Sequence, residues 1–230
     1  MGLLVLAVVG IASRADAGII TVPPGLAPGS QYRLVFVTAV PSPAVFPYIG
    51  FYNTAVNAAA DAVAALAALG TTWLDIGSTA AVSAIDNIGM DAGVPIYDLG
   101  GNLIATDAGT GAGGMFSGTI LNVLDITEGG VALGAVGVWT GSWANGATVS
   151  YAPLGGGSDL MTEYGWVGFT DQRWLQYLLG DPYDTAYHLY GISEALTSPG
   201  STTPEPATTG MVIAGGALMF FAGRRSRRPL

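Results

Sequence analysis

Only one stretch of this sequence, residues 48–69, carries a helical pattern of any length, and that restriction sets the fold class. Phe51, Ala55, Val56, Ala59, Val63, Leu66 and Leu69 recur at three- and four-residue spacing, so they share one stripe of a helix. Gly70 follows as a C-cap. The rest reads as β-structure. Residues 32–38 (YRLVFVT) alternate and are rich in β-branched and aromatic side chains, the pattern of a strand. Pro41, Pro43 and Pro47 then break the chain. After Gly70, short β-prone pieces (72–76, 94–99, 103–106, 136–140, 148–151, 165–169 and 186–192) alternate with Gly, Asn and Asp. Gly100-Gly101-Asn102 and Asn145-Gly146 are hairpin-turn sequences, and a short helix is predicted at 172–179. No internal repeat interrupts this order. The expectation is an α+β, β-dominated domain over residues 18–197, with a β-sandwich or jelly roll as the alternative.

The two ends have a different character. Residues 3–12 form an apolar run of signal-peptide length, followed by Ala15-Asp16-Ala17, an A-x-A cleavage site bounded by Ala15 and Ala17. Residues 1–17 are therefore read as a signal peptide, although no positive residue precedes the run. At the other end lie a polar linker (198–203), then Pro204-Glu205-Pro206, then residues 207–223 without a charge, then Arg224, Arg225, Arg227 and Arg228. As a helix, 207–223 would reach about 25 Å at ~1.5 Å per residue, a little under the ~30 Å hydrocarbon thickness of a bilayer. The predicted transmembrane helix is thus short, with its arginines on the cytoplasmic side and the domain outside.

This three-part order resembles the PEP-CTERM sorting signal of exported bacterial proteins. The resemblance implies a membrane partner, an exosortase-type transpeptidase, cutting near Pro204-Glu205-Pro206 after transient anchoring. It also implies delivery to the surface or exterior of a Gram-negative bacterium that makes extracellular polysaccharide and biofilm.

Composition narrows the chemistry. The sequence has no lysine, and Arg33 and Arg173 are the only cations between residues 18 and 200, against fourteen of the sixteen acidic residues, all but Asp16 and Glu205. Such a domain cannot neutralise phosphates, so nucleic acid is excluded as a partner. Without cysteine there are no disulfides, zinc thiolates or cysteine nucleophiles. Asp86, Asn87 and Asp91, and Asp125 with Glu128, are the best local oxygen clusters. Calcium is the one cofactor they could take, but each supplies only two or three ligands, and turns and caps are the plainer use. No metal site and no cofactor are expected.

His188 is the only histidine, and without a G-x-S-x-G elbow it has no evident nucleophile to serve. Residues 109–114 (GTGAGG) lack the Lys-Ser/Thr of a phosphate loop. No carboxylate pair stands out for glycoside hydrolysis, so no catalytic residue is assigned. Trp139, Trp143, Trp166 and Trp174 crowd one region with Tyr151, Tyr164 and Tyr177. At least two of these tryptophans are expected in the core. Trp143, Asn145, Tyr151 and Trp166 are the candidate ligand-binding residues, with Trp143 at a hairpin tip.

A second resemblance spans most of residues 31–193. YRLVFVT, a helix ending in ALAALGTTW, Val94-Pro95-Ile96-Tyr97 before a tight turn, and Val138-Trp139-Thr140-Gly141 before a hairpin are similar to exported proteins of C-type-lectin-like and endostatin-like type. The chain departs from C-type lectins in lacking their disulfides and their Glu-Pro-Asn or Gln-Pro-Asp and Trp-Asn-Asp triplets, so calcium-dependent sugar binding does not carry over. The expected function is that of a non-enzymatic structural or adhesive protein of the envelope or extracellular matrix, with extracellular polysaccharide as its partner. A carbohydrate-binding module is the alternative, and a secreted hydrolase is the third reading.

Overall fold

In the computed structural model, residues 18–200 are described apart from Ser158, Leu178 and Leu179. The predicted signal peptide with Ala15 and Ala17, the motif Pro204-Glu205-Pro206, the helix 207–223 and Arg224, Arg225, Arg227 and Arg228 lie outside the described residues. Among the described residues no helix is long and apolar enough to cross a membrane.

The alternating strand of the sequence becomes β1 (Gln31–Val37), buried at every position after Gln31. Successive side chains of a strand face opposite ways, and here both faces are covered. Tyr32, Leu34 and Phe36 join one apolar cluster, and Val35 and Val37 join another. The chain continues through α1 (Ile49–Asp61), α2 (Ala64–Ala67), β2 (Trp73–Asp75), α3 (Ala84–Ile88), β3 (Ile96–Asp98), β4 (Leu103–Ala105), β5 (Gly137–Trp139), β6 (Met161–Thr162), β7 (Tyr164–Trp166), β8 (Asp181–Pro182), β9 (Tyr190–Ser193) and β10 (Leu196–Thr197). Six strands make one mixed sheet in the order β2-β9-β1-β3-β4, with β10 beside the start of β1. Only β1 and β3 run parallel. β5 with β7 and β6 with β8 form two small ribbons. The domain is therefore α+β and β-dominated, built on one mixed sheet rather than on the two packed sheets of a sandwich or jelly roll.

The predicted helix is divided. Val63, the only β-branched residue between Val56 and Gly70, takes an extended conformation (φ −107°, ψ 112°) and ends the run. The second piece is capped by Ala68 rather than by Gly70, which turns the chain two residues later at φ +60°. The buried face of α1 is Tyr52, Val56 and Ala60. Of the predicted stripe, Val56 and Leu66 are buried and Ala55, Ala59, Val63 and Leu69 pack half-buried on the same cluster, while Phe51 is exposed and stacks on Phe46. The tyrosine wins the core position because its ring is buried while its hydroxyl donates to Phe46 O (2.9 Å).

Residues 148–151 do not form a strand; Thr148 makes a single bridge to Ser142. The helix predicted at 172–179 is only a 3-10 turn at Gln172–Trp174. The last predicted strand starts later, at β9. Gly191 of β9 faces Phe36 in the register, and a Cβ there would sit 2.7 Å from the Phe36 ring. The strand is glycine at that point because an aromatic ring lies on it.

Polar side chains complete the sheet. At its β2 edge, Asn57 accepts from Trp73 N (2.9 Å) and donates to Trp73 O, while Asn53 accepts from Asp75 N (2.8 Å). Asn87 donates to Asp75 O (2.8 Å) and exchanges two amide bonds with Asn53. Beyond β4, Leu121 N donates to Ile104 O and Asn122 Nδ2 to Leu103 O, both at 2.8 Å. Arg33 is buried in β1. It donates to Ser193 O (2.6 Å) and to Ile88 O (2.9 Å) at the end of α3, and pairs with Asp91 (3.4 Å). Ser198 exchanges four hydrogen bonds with Ala27, Gly29 and Ser30, and the compact unit ends there.

Asp75 is fully buried, and neither carboxyl oxygen has a hydrogen-bond partner among the described residues. Burial pushes its carboxyl well above the usual carboxylate range. The folded domain thus holds it protonated where the unfolded chain, titrating near about pH 4, does not. The stability this group contributes is complete below that pH and is lost as pH rises toward the folded value. Asp75→Asn is therefore expected to flatten the fall of the urea midpoint between pH 4 and 8, whatever constant offset it adds; an unchanged slope would refute the assignment. Asn57→Ala, which leaves two backbone groups of Trp73 without partners, should cost about 1–3 kcal/mol in denaturant unfolding.

Candidate functional site

The turn at Asn145-Gly146 forms as the sequence predicts. Trp143 N donates to Ala147 O (2.8 Å), Gly146 N to Trp143 O (2.9 Å), and Ala147 N to Asn145 Oδ1 (3.1 Å). Gly146 has φ +77°, and a Cβ there would meet the Phe116 ring at 2.8 Å. The tip of the turn therefore rests on Phe116 instead of projecting into solvent. Trp143 is half-buried in consequence, against the expectation of an exposed tip, while Asn145 is exposed. The Trp143 ring meets Tyr151 edge to face at 5.8 Å, and Tyr151 is 40% exposed. The fold thus brings Trp143, Asn145 and Tyr151 to one patch.

Trp166 belongs elsewhere. It stacks on Tyr177 (5.3 Å between centroids), Tyr177 stacks on Phe169 (5.7 Å), and the Arg173 guanidinium lies 3.7 Å over the Phe169 ring. Arg173 is held flat by Asp171, through Nε to Oδ1 (2.8 Å) and Nη2 to Oδ2 (2.6 Å). Those bonds hold the Asp171 carboxyl below its ordinary value. Inward, the column reaches Tyr164, then Tyr187 and Trp139. Tyr187 donates to Asp181, and burial together with that bond raises its phenol. The sequence reading missed Phe169 and Arg173. The available signal was the domain's one exposed cation four residues after an aromatic ring. Trp73, Trp139 and Trp174 are core residues.

The other candidates are occupied structurally. His188 Nδ1 lies 2.6 Å from Thr38 O; a carbonyl only accepts, so Nδ1 carries the proton. Asp86 accepts from Ser83 Oγ (2.6 Å) at the start of α3, Asn87 serves the sheet edge, and Asp91 meets Arg33. Glu128 accepts from Ala39 N (2.8 Å). Burial, then the nearby Asp98, raises the Asp125 carboxyl. Among the described residues no three His, Asp or Glu side chains gather as a metal site. The glycine loop folds back on Asp107, which accepts from Gly109 N (2.8 Å).

Residues 202–228 match the PEP-CTERM protein-sorting motif. The chain is therefore a PEP-CTERM-containing exported protein, of the kind held transiently in the membrane and processed by an exosortase on its way to the surface of a Gram-negative cell. Comparison of the whole chain with curated proteins finds no match.

Trp143→Ala removes an edge-to-face pair and should cost about 0.5–1.5 kcal/mol beyond the lost area, read as a lower urea midpoint. A glycan array probed with the same variant reports whether the Trp143, Asn145 and Tyr151 patch takes sugar. Unchanged binding would remove it as a saccharide site.

Proposed function

We propose that this protein is a non-enzymatic structural or adhesive component of the cell envelope or extracellular matrix, delivered there through its C-terminal tail. The observation that carries the reading is the sorting motif at 202–228, joined to a folded unit that ends at Ser198. In this reading Pro204, Glu205 and Pro206 mark the exosortase cut, 207–223 holds the chain in the membrane until then, and Arg224, Arg225, Arg227 and Arg228 keep its end inside. A signal peptide at 1–17 supplies the export. The domain is read as C-type-lectin-like. Support comes from one main helix directly after the first strand, and from first and last strands that pair with each other.

A carbohydrate-binding module is the second reading, favoured by the Trp143–Tyr151 patch beside exposed Asn145. Its partner would be extracellular polysaccharide, bound without calcium.

Deleting residues 204–230 tests the leading reading. The truncated chain should leave the membrane and surface fractions for the periplasm or medium, with an unchanged circular-dichroism spectrum and melting midpoint. A truncated chain that fractionates like the full one, or that no longer folds, would overturn it.

A further inference from the structure

Helix α1 is apolar on two adjoining faces, and the second is only partly used by the core: Ala55, Ala59 and Val63 pack half-buried against it, while Ala58 and Ala62 are exposed. Beside Tyr52, Val56 and Ala60 runs a second face of Ala55, Ala58, Ala59 and Ala62, extended by Val63 beyond the helix end. This face forms one wall of a groove of about 670 Å³, whose other wall is residues 38–42 and 127–133. We propose that this groove binds an uncharged aliphatic chain.

Four observations point there. The volume falls within the roughly 300–1,000 Å³ typical of small-ligand sites. Alanines along the helix leave room for a chain to lie close to its backbone. Two aliphatic side chains stand in water at the mouth, Val40 at 75% and Val131 at 62% exposure. Thr38, Thr127 and Glu128 of the walls turn their polar atoms to the backbone. Thr38 Oγ1 donates to Val40 O (3.2 Å) and accepts from Leu189 N (2.9 Å), Thr127 Oγ1 accepts from Val131 N (3.1 Å), and Glu128 accepts from Ala39 N (2.8 Å).

Charge selects the head of the ligand. Among the described residues, Glu128 is the only ionisable one in the lining, and no cation faces the groove. An anionic head would meet a like charge there, so a fatty acid is disfavoured and an alcohol or ester is not. A second copy of the chain fits less well. A stable dimer buries about 800 Å² per partner, and a groove of about 670 Å³ along one helix matches a single chain better than a protein face.

The test uses the protein in the form the cells release, with 1-N-phenylnaphthylamine as fluorescent probe and octanol, decanol, dodecanol and dodecanoate as competitors. Displacement should be saturable. Affinity should rise about three- to fourfold per added methylene, the equivalent of about 0.8 kcal/mol for each buried CH₂. Dodecanoate should bind about tenfold or more weakly than dodecanol. Ala59→Phe, which fills the floor, should abolish displacement. Val131→Asp changes an exposed rim residue that the fold does not need, and it should weaken alcohol binding even if the first variant misfolds. The proposal falls if the unaltered protein shows no saturable displacement, or if Val131→Asp and a folded Ala59→Phe bind as the unaltered protein does. It also falls if light scattering shows a dimer that Val131→Asp dissolves while no alcohol competes.

Discussion

Everything in this domain hangs on a strand that finds its partners at the far end of the chain. β1 pairs with β9 through Val35 and Ile192 and with β10 through Tyr32 and Leu196, and no local turn brings these segments together. The loop between them must be closed before the pairing is rewarded, which places the fold among the slow, high-contact-order topologies. What makes the closure worthwhile is burial on both faces of β1. Each face anchors its own apolar cluster, so losing the central strand would expose both. Arg33 adds a polar tie at the same place. One guanidinium joins β1 to the backbone of β9 and to the end of α3, where removing it would strand two carbonyls in the interior.

The parts of this architecture that depend on local pattern were readable beforehand. β2 through β5 fall within the pieces marked by alternation and turn residues, β1 differs from its piece by one residue at each end, and the turns at Gly100-Gly101-Asn102 and Asn145-Gly146 formed, because their φ angles are demands on single residues. The misses share a physical cause. Choosing Tyr52 over Phe51 for the core depends on a hydroxyl finding Phe46, and nothing in the helical period records that. Val63 breaks the helix although propensity alone costs it little. Residues 148–151 have strand composition but lie where one bridge to Ser142 is all the geometry allows.

The candidate site was legible by composition and illegible by arrangement. Crowding of aromatics between residues 139 and 177 was visible, yet Trp143 meets Tyr151 while Trp166 joins Tyr177, Phe169 and Arg173 in a separate column. Side-chain partnering across loops has no period. The asparagines were harder still. Asn53 and Asn57 sit one turn apart on α1 and look like ordinary polar positions, but that spacing matches alternate backbone groups of β2. The tail was the opposite case, because its information lies in linear order and needs no fold to be read.

Those asparagines have a consequence for how the protein behaves in company. A sheet with bare borders offers any neighbouring strand a template, and identical domains packed densely on a cell would tend to zip into fibres. Here Asn53, Asn57 and Asn87 impersonate a strand along one border, and Leu121 with Asn122 closes the other. At these two borders the main sheet therefore presents no bare backbone template. Contacts made along those borders run through side chains, where sequence sets their selectivity.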